Sequence, residues 1–176
     1  MNSSLHEHLL QRNVDFSVHT VYLTTNAATF MMYNLSGQLT GYQTYRPNNV
    51  KLGQNFVHGK YYTYKTPTCL SIFGIETLTM LHKVVFITEG IFDATPFTKR
   101  GCAALALLTN APNTSLLNFL SCLPQKLILI ADNDKGGDVL RKKLKHLVAK
   151  SITPTLKDTG DMSDDHINNL IKQFCL

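Results

Sequence analysis

Three carboxylates could do chemistry in this sequence. In LILIADNDKGGD, Leu127 to Asp138, an apolar run leads into Asp132 and Asp134, one residue apart, and then into Gly136-Gly137. Upstream, KVVFITEG is a second apolar run that stops at Glu89-Gly90. Carboxylates crowded at the dry end of a strand repel one another, so either one keeps its proton or a cation sits among them. Hard oxygen ligands with open positions suit magnesium or manganese rather than zinc. Magnesium held by carboxylates commonly also takes phosphate oxygens, which points to phosphoryl chemistry on nucleotides or nucleic acid. Taken alone, D-x-D is equally a turn motif, with Asp132 or Asn133 capping the helix that follows.

The elements around these residues decide whether they meet. From KVVFITEG onward, short apolar runs alternate with stretches of helical spacing. IFDATPFTKRG reads as a helix ended by Gly101, CAALALLT as a strand, and NTSLLNFLSCL as a helix with leucines at 116, 117, 120 and 123. KLILIADND is a third strand, GGDVLRKKLKHLVAK a third helix, SITPTL a short strand, and MSDDHINNLIKQF a final helix with a serine cap. Strands alternating with helices imply a parallel sheet covered on both faces. Ligands of such sheets bind beyond the carboxyl ends of the strands, which is where Glu89, Asp132 and Asp134 fall.

The first half has a different rhythm. SSLHEHLLQRN reads as a short helix opened by a serine cap. ATFMMYNLSGQLTGYQTYRP reads as two strands around a Ser36-Gly37 turn, with Phe30, Met32, Leu39 and Tyr45 in alternating positions, and HGKYYTYKT as a further strand. Division near residue 80 gives an α+β N-terminal subdomain over 1–80 and an α/β domain over 81–176.

Composition narrows the classes. The chain has 176 residues, 44% of them hydrophobic, enough to bury a core without disulfides or metals. No apolar run reaches membrane-spanning length, and the N-terminal residues do not resemble a signal peptide, so a cytoplasmic location is expected. Cys69, Cys102, Cys122 and Cys175 make no C-x-x-C pair, so no zinc site is expected. His6 and His8 read as a helix-surface pair. The net charge of +5 favours an anionic partner, while the basic run RKKLKH, Arg141 to His146, reads as a solvated helix face.

In their order, ITEGIFDA, the strand ending LLTNAP, and LILIADNDKGGD resemble a Toprim domain over roughly residues 83 to 175. Toprim is the fold shared by DnaG-type primases, type IA and II topoisomerases, OLD-type nucleases, ribonuclease M5 and RecR. The first half narrows this. YNLSGQLTGYQTYRP, GKYYTYKT and SIFGIETL are similar, in order and spacing, to the segments that precede the Toprim glutamate in DnaG-type primases. The whole chain thus resembles a compact, phage-like primase catalytic core. In one departure, Ser71 and Ile72 stand where a basic residue usually precedes the last of these segments.

The resemblance implies roles. Glu89, Asp132 and Asp134 would be catalytic and hold Mg²⁺ or Mn²⁺, two ions in all. Asp93, Asp161 and Asp164 would complete the metal shell, and Arg46 and Lys60 would bind nucleotide or template. One ion would activate a ribose 3′-hydroxyl and the other would stabilise departing pyrophosphate. Tyr61, Tyr62 and Tyr64 would either stack on template bases or belong to strand core. The expected partners are single-stranded DNA, NTPs, a replicative helicase and a separate zinc-bearing template-recognition chain, in a bacterial or phage-infected cell. Two alternatives share the rim: a Toprim nuclease in which the same ions activate water, and a non-catalytic module that binds DNA or a protein partner.

Overall fold

The computed structural model describes residues 4–52, 56–67, 69–154 and 162–175. Helix α1 (Leu5–Gln11) opens on Ser4, whose side chain accepts from the Glu7 amide while Glu7 accepts from the Ser4 amide. Four antiparallel strands follow: β1 (Val21–Leu23), β2 (Ala28–Tyr33), β3 (Leu39–Tyr45) and β4 (Tyr61–Lys65), paired in that order. Gly37, at φ +74°, makes the β2–β3 turn. The three-residue β1 has too short a pattern to stand out in the sequence. Phe30, Met32 and Tyr45 are buried as their alternation predicts, but Leu39 is 57% exposed. The register shifts between Met32 and Tyr33, so Leu39 falls beyond the irregularity, where alternation no longer carries it to the core.

The second half is a parallel sheet of β5 (Val84–Thr88), β6 (Ala103–Ala106), β7 (Lys126–Ile130) and β8 (Lys150–Ile152), in the order β6-β5-β7-β8. Helices α2 (Ile91–Thr98), α3 (Thr114–Ser121), α4 (Lys135–Leu144) and α5 (Asp164–Cys175) cover it. Alternate strand residues point to opposite faces. Phe86, Ala104 and Ile128 pack with Phe97 of α2 and Ile167 of α5, and Val85, Leu105 and Leu129 pack with Leu120 of α3 and Leu140 of α4.

One apolar cluster joins the sheets, running from Leu9, Phe30 and Tyr45 into Phe86 and Phe92. Phe30 meets Phe73 and Phe92 edge-on, at ring separations of 5.8 and 5.7 Å. The backbone also connects them, since Ile72 bridges to Tyr33 of β2 and Phe73 to Ala106 of β6. The antiparallel sheet is thereby set against the α2 side of the parallel sheet.

Candidate active site

Glu89 follows β5 and Asp132 follows β7. The two strands pair in parallel register, with Ile87 beside Leu129, so both acids leave the sheet at the same edge. The Asp132 amide donates to Glu89 Oε1 at 3.2 Å. Asp134 is the N-cap of α4, its Oδ1 accepting from the Gly137 amide at 2.9 Å. The helix is therefore capped by Asp134 rather than by Asp132 or Asn133. Burial pushes the Glu89 carboxyl up from its ordinary 4.5 to about 7, helped by the charges of Asp132 and Asp134 and opposed by the Asp132 amide and Arg141.

This shift has a stability consequence. Between about pH 4.5 and 7 the folded chain holds a Glu89 proton that the unfolded chain releases, so the contribution of this group falls as pH rises through that window. Glu89 is half-buried, and after allowance for solvent screening the penalty above pH 7 is about 1–2 kcal/mol. Glu89→Gln is expected to raise the melting temperature by a few degrees at pH 8 without divalent cations, and to have little effect at pH 4. Thermal denaturation at the two pH values checks this, and equal shifts at both would contradict it.

The Glu89 and Asp132 side of the rim opens into a cleft of about 360 Å³, with Asp134 not among its lining residues. Its floor is Glu89, Gly90, Asp93 and Asp132, one lip is Leu108, Thr109 and Asn110, and the antiparallel sheet supplies Gln43 and Tyr61 opposite. Leu108 has a left-handed backbone, φ +54°, and its amide donates to the Glu89 carbonyl at 2.9 Å. A non-glycine residue held this way is backbone strain stored beside the acids. Asp93 also reaches the cleft, where its Oδ2 accepts from the Gly90 amide at 2.8 Å and closes the first turn of α2.

Two cations line this cleft, Arg12 and Lys51, and the sequence motifs indicate neither. Arg12 is anchored on α2. Its guanidinium lies 4.3 Å over the Phe92 ring, and its carbonyl accepts from Thr95 Oγ1 at 2.8 Å. Arg46 and Lys60 sit together at the end of the β3–β4 pair, each next in sequence to a residue of the Tyr45–Tyr61 stack. The Arg46 amide donates to the Lys60 carbonyl at 2.8 Å, and Lys60 Nζ is 6.0 Å from the Tyr45 ring. Neither is among the residues lining the cleft. Strand alternation also divides the tyrosines. Tyr61 faces the cleft and stacks on Tyr45, while Tyr62 and Tyr64 lie against Tyr42 on the opposite face.

Asp164 stands apart from the rim. It pairs with Arg100 at 2.7 Å, just past the C-terminal end of α2, whereas Glu89 lies at that helix's N-terminal end. Asp161 lies outside the described residues.

Among the described residues, no three His, Cys, Asp or Glu side chains are gathered into a metal-holding group. The rim does contain a point of convergence. A Cβ built on Gly136 would lie 3.2 Å from Asp134 Oδ1, 3.2 Å from Asn110 Nδ2 and 3.6 Å from Glu89 Oε2. The glycine thus leaves a small space bounded by two carboxylates. Two carboxylate oxygens facing one space are hard donors of the kind a magnesium-type ion takes, which uses one or two carboxylates in such sites.

The sequence matches no family model and no curated protein. The fold does match solved structures. The zinc-binding and RNA polymerase domains of the Aquifex aeolicus primase are 17% identical with a TM-score of 0.61, over 84% of this chain and 40% of that one. The RNA polymerase domain of Mycobacterium tuberculosis primase DnaG is 18% identical with a TM-score of 0.59, over 96% of this chain and 66% of that one. The primase fragment of the bacteriophage T7 primase-helicase protein is 12% identical with a TM-score of 0.58, over 99% of this chain and 74% of that one. The chain spans 40% and 66% of the lengths of the first two. The fold is therefore a Toprim-type parallel sheet joined to an antiparallel N-terminal sheet, the architecture of primase catalytic cores. Its structural neighbours include both DnaG-type and phage members, with TM-scores from 0.56 to 0.64.

Proposed function

We propose that this chain is a primase-type nucleotidyltransferase core that makes short RNA primers on single-stranded DNA, in phage-like replication. The observation that carries the reading is the cleft itself. The acidic rim faces a wall of the antiparallel sheet, with Arg12 and Lys51 beside it, so acids and cations share one nucleotide-sized space. The likeness to primase domains also extends over both halves of the chain, 96% of it in the Mycobacterium case, rather than over the Toprim part alone. In this reading residues 1–80 form the nucleotide- and template-holding subdomain and 81–176 the Toprim domain.

Glu89, Asp132 and Asp134 would hold Mg²⁺ or Mn²⁺, which supplies activation of a ribose 3′-hydroxyl and charge neutralisation at the leaving pyrophosphate. Asp93 orients the α2 turn at the cleft floor. Arg12 and Lys51 bind the triphosphate, Arg12 with a guanidinium already held over the Phe92 ring. Tyr61 offers a ring against which a base packs. Arg46 and Lys60 form the basic end of the β3–β4 pair and take the template strand. Helicase and zinc-bearing partners belong to the same proposal.

The division of cations gives a test. Arg12→Ala is expected to raise KM for nucleoside triphosphate by about ten- to a hundredfold, the value of a lost charged hydrogen bond. Arg46→Ala is expected to leave that KM unchanged and to weaken DNA binding with a shallower salt dependence. Steady-state kinetics and DNA titrations at two salt concentrations read both.

The class of reaction is tested with end-labelled single-stranded DNA, Mn²⁺, and ribonucleotides present or withheld. Intact DNA with ribonucleotide-dependent release of pyrophosphate is expected. Shortened DNA without pyrophosphate release would make the chain a nuclease.

A further inference from the structure

Arg141 belongs to the basic run RKKLKH, yet it does not behave as a solvated charge. It is half-buried, while Lys142 and Lys143 beside it are exposed. Its side chain runs back along α4 toward the helix N-terminus, the direction in which helical side chains lean. Nη1 donates to the Ala131 carbonyl at 3.1 Å and to the Asp132 carbonyl at 3.2 Å. Nη2 donates to Asp138 Oδ1 at 2.9 Å, which steadies the other arm of the fork.

The two carbonyls lie where β7 leaves the sheet. The Ala131 amide still reaches the Ile152 carbonyl, at 3.2 Å, but the chain then turns into α4. Asp132 is also gripped from the other side, through its amide to Glu89 Oε1. The backbone that aims the Asp132 carboxylate is therefore held between Glu89 and Arg141. A planar guanidinium can span two carbonyls and a carboxylate, whereas a lysine ammonium is a compact point charge that does not reproduce the fork.

We propose that Arg141 is a positioning residue that fixes the Asp132 turn for cation binding, acting through the backbone and not by touching substrate. The inference rests on the metal-binding reading of the rim. It separates cleanly from an effect of charge, because the positive charge of Arg141 opposes cation binding while its hydrogen bonds favour it.

Two variants divide these effects. Arg141→Met removes fork and charge together, and Arg141→Lys keeps the charge and removes the fork. In both, amide hydrogen exchange over residues 131–137 is expected to quicken by about tenfold, with β5 unaffected. In both, Mn²⁺ affinity, read from the spin-resonance signal of the free ion, is expected to fall by about tenfold or more. Wild-type exchange over 131–137 in both variants would overturn the proposal. So would tighter Mn²⁺ binding in Arg141→Met with wild-type binding in Arg141→Lys, since charge alone would then act. A wild-type chain that binds no Mn²⁺ would contradict the metal reading instead, and the exchange data would still decide the role of Arg141. If Arg141→Met does not fold, Asp138→Asn loosens one arm of the fork at an exposed position. The same two changes, smaller in size, are expected there, and their absence overturns the proposal.

Discussion

Asp132→Asn is expected to reduce primer synthesis by a factor on the order of a thousand or more, as loss of a ligand to the ions that stabilise the reacting charges does. The fold should survive it. Two hydrogen bonds at the turn are made by the Asp132 backbone, through its amide to Glu89 and its carbonyl to Arg141, and an asparagine keeps both. The substitution also removes the Asp132 charge that helps raise the Glu89 carboxyl, so the metal-free variant is expected to melt at or above the wild-type temperature near pH 8. Kinetics and calorimetry on one preparation would read both effects. Lost activity together with a large drop in melting temperature would instead assign Asp132 to the architecture.

Gly137→Ala is expected to damage both fold and function. A Cβ there would collide with the Asp132 carbonyl oxygen, with the Asp132 carbonyl carbon at 2.9 Å and amide nitrogen at 3.1 Å. None of these atoms can rotate away, so the turn carrying Asp132 must move. Overpacking of this kind costs about 1–3 kcal/mol, and a displacement near 1 Å at reacting groups costs about a hundredfold in rate. Gly136→Ala is the contrasting case. Its Cβ would enter the space between Asn110, Asp134 and Glu89, where the nearest atoms are side-chain ends. Alanine also favours a helical position over glycine by about 0.5–1 kcal/mol, so stability should hold or rise while activity falls. Denaturant melts and initial rates for the pair check this, and equal destabilisation by both would contradict it.

The acids were legible in the sequence because the physics that places them is local. An apolar run buried on both faces must end at a sheet edge, and Glu89, Asp132 and Asp134 are the first charged residues past two such runs. The helices, the Ser36-Gly37 turn and the serine-capped α1 follow from equally local signals. Arg12 was not legible. It enters the cleft only because Thr95 and Phe92 hold it on α2, which depends on how two sheets pack. Arg46 and Lys60 match motif positions, and the pairing of β3 with β4 puts them at the strand ends beside Tyr61, though not themselves among the residues that line the cleft. In sequence Arg141 looks solvated because its neighbours are, and one side chain turning back along a helix leaves no trace in periodicity. Asp164 shows the converse. It is acidic, close to a motif and at a helix start, yet Arg100 pairs with it at the other end of α2.

The proposed reaction is nucleotidyl transfer at the Glu89–Asp132–Asp134 rim. Its most direct test supplies the purified chain with single-stranded DNA, α-labelled ribonucleotides and Mg²⁺ or Mn²⁺, beside the Asp132→Ala/Asp134→Ala double variant, with products resolved on a sequencing gel. The expected product is a ladder of short labelled oligoribonucleotides that needs both template and metal and is absent from the variant. A ladder of equal intensity from the variant would contradict it, because synthesis would then not depend on these aspartates.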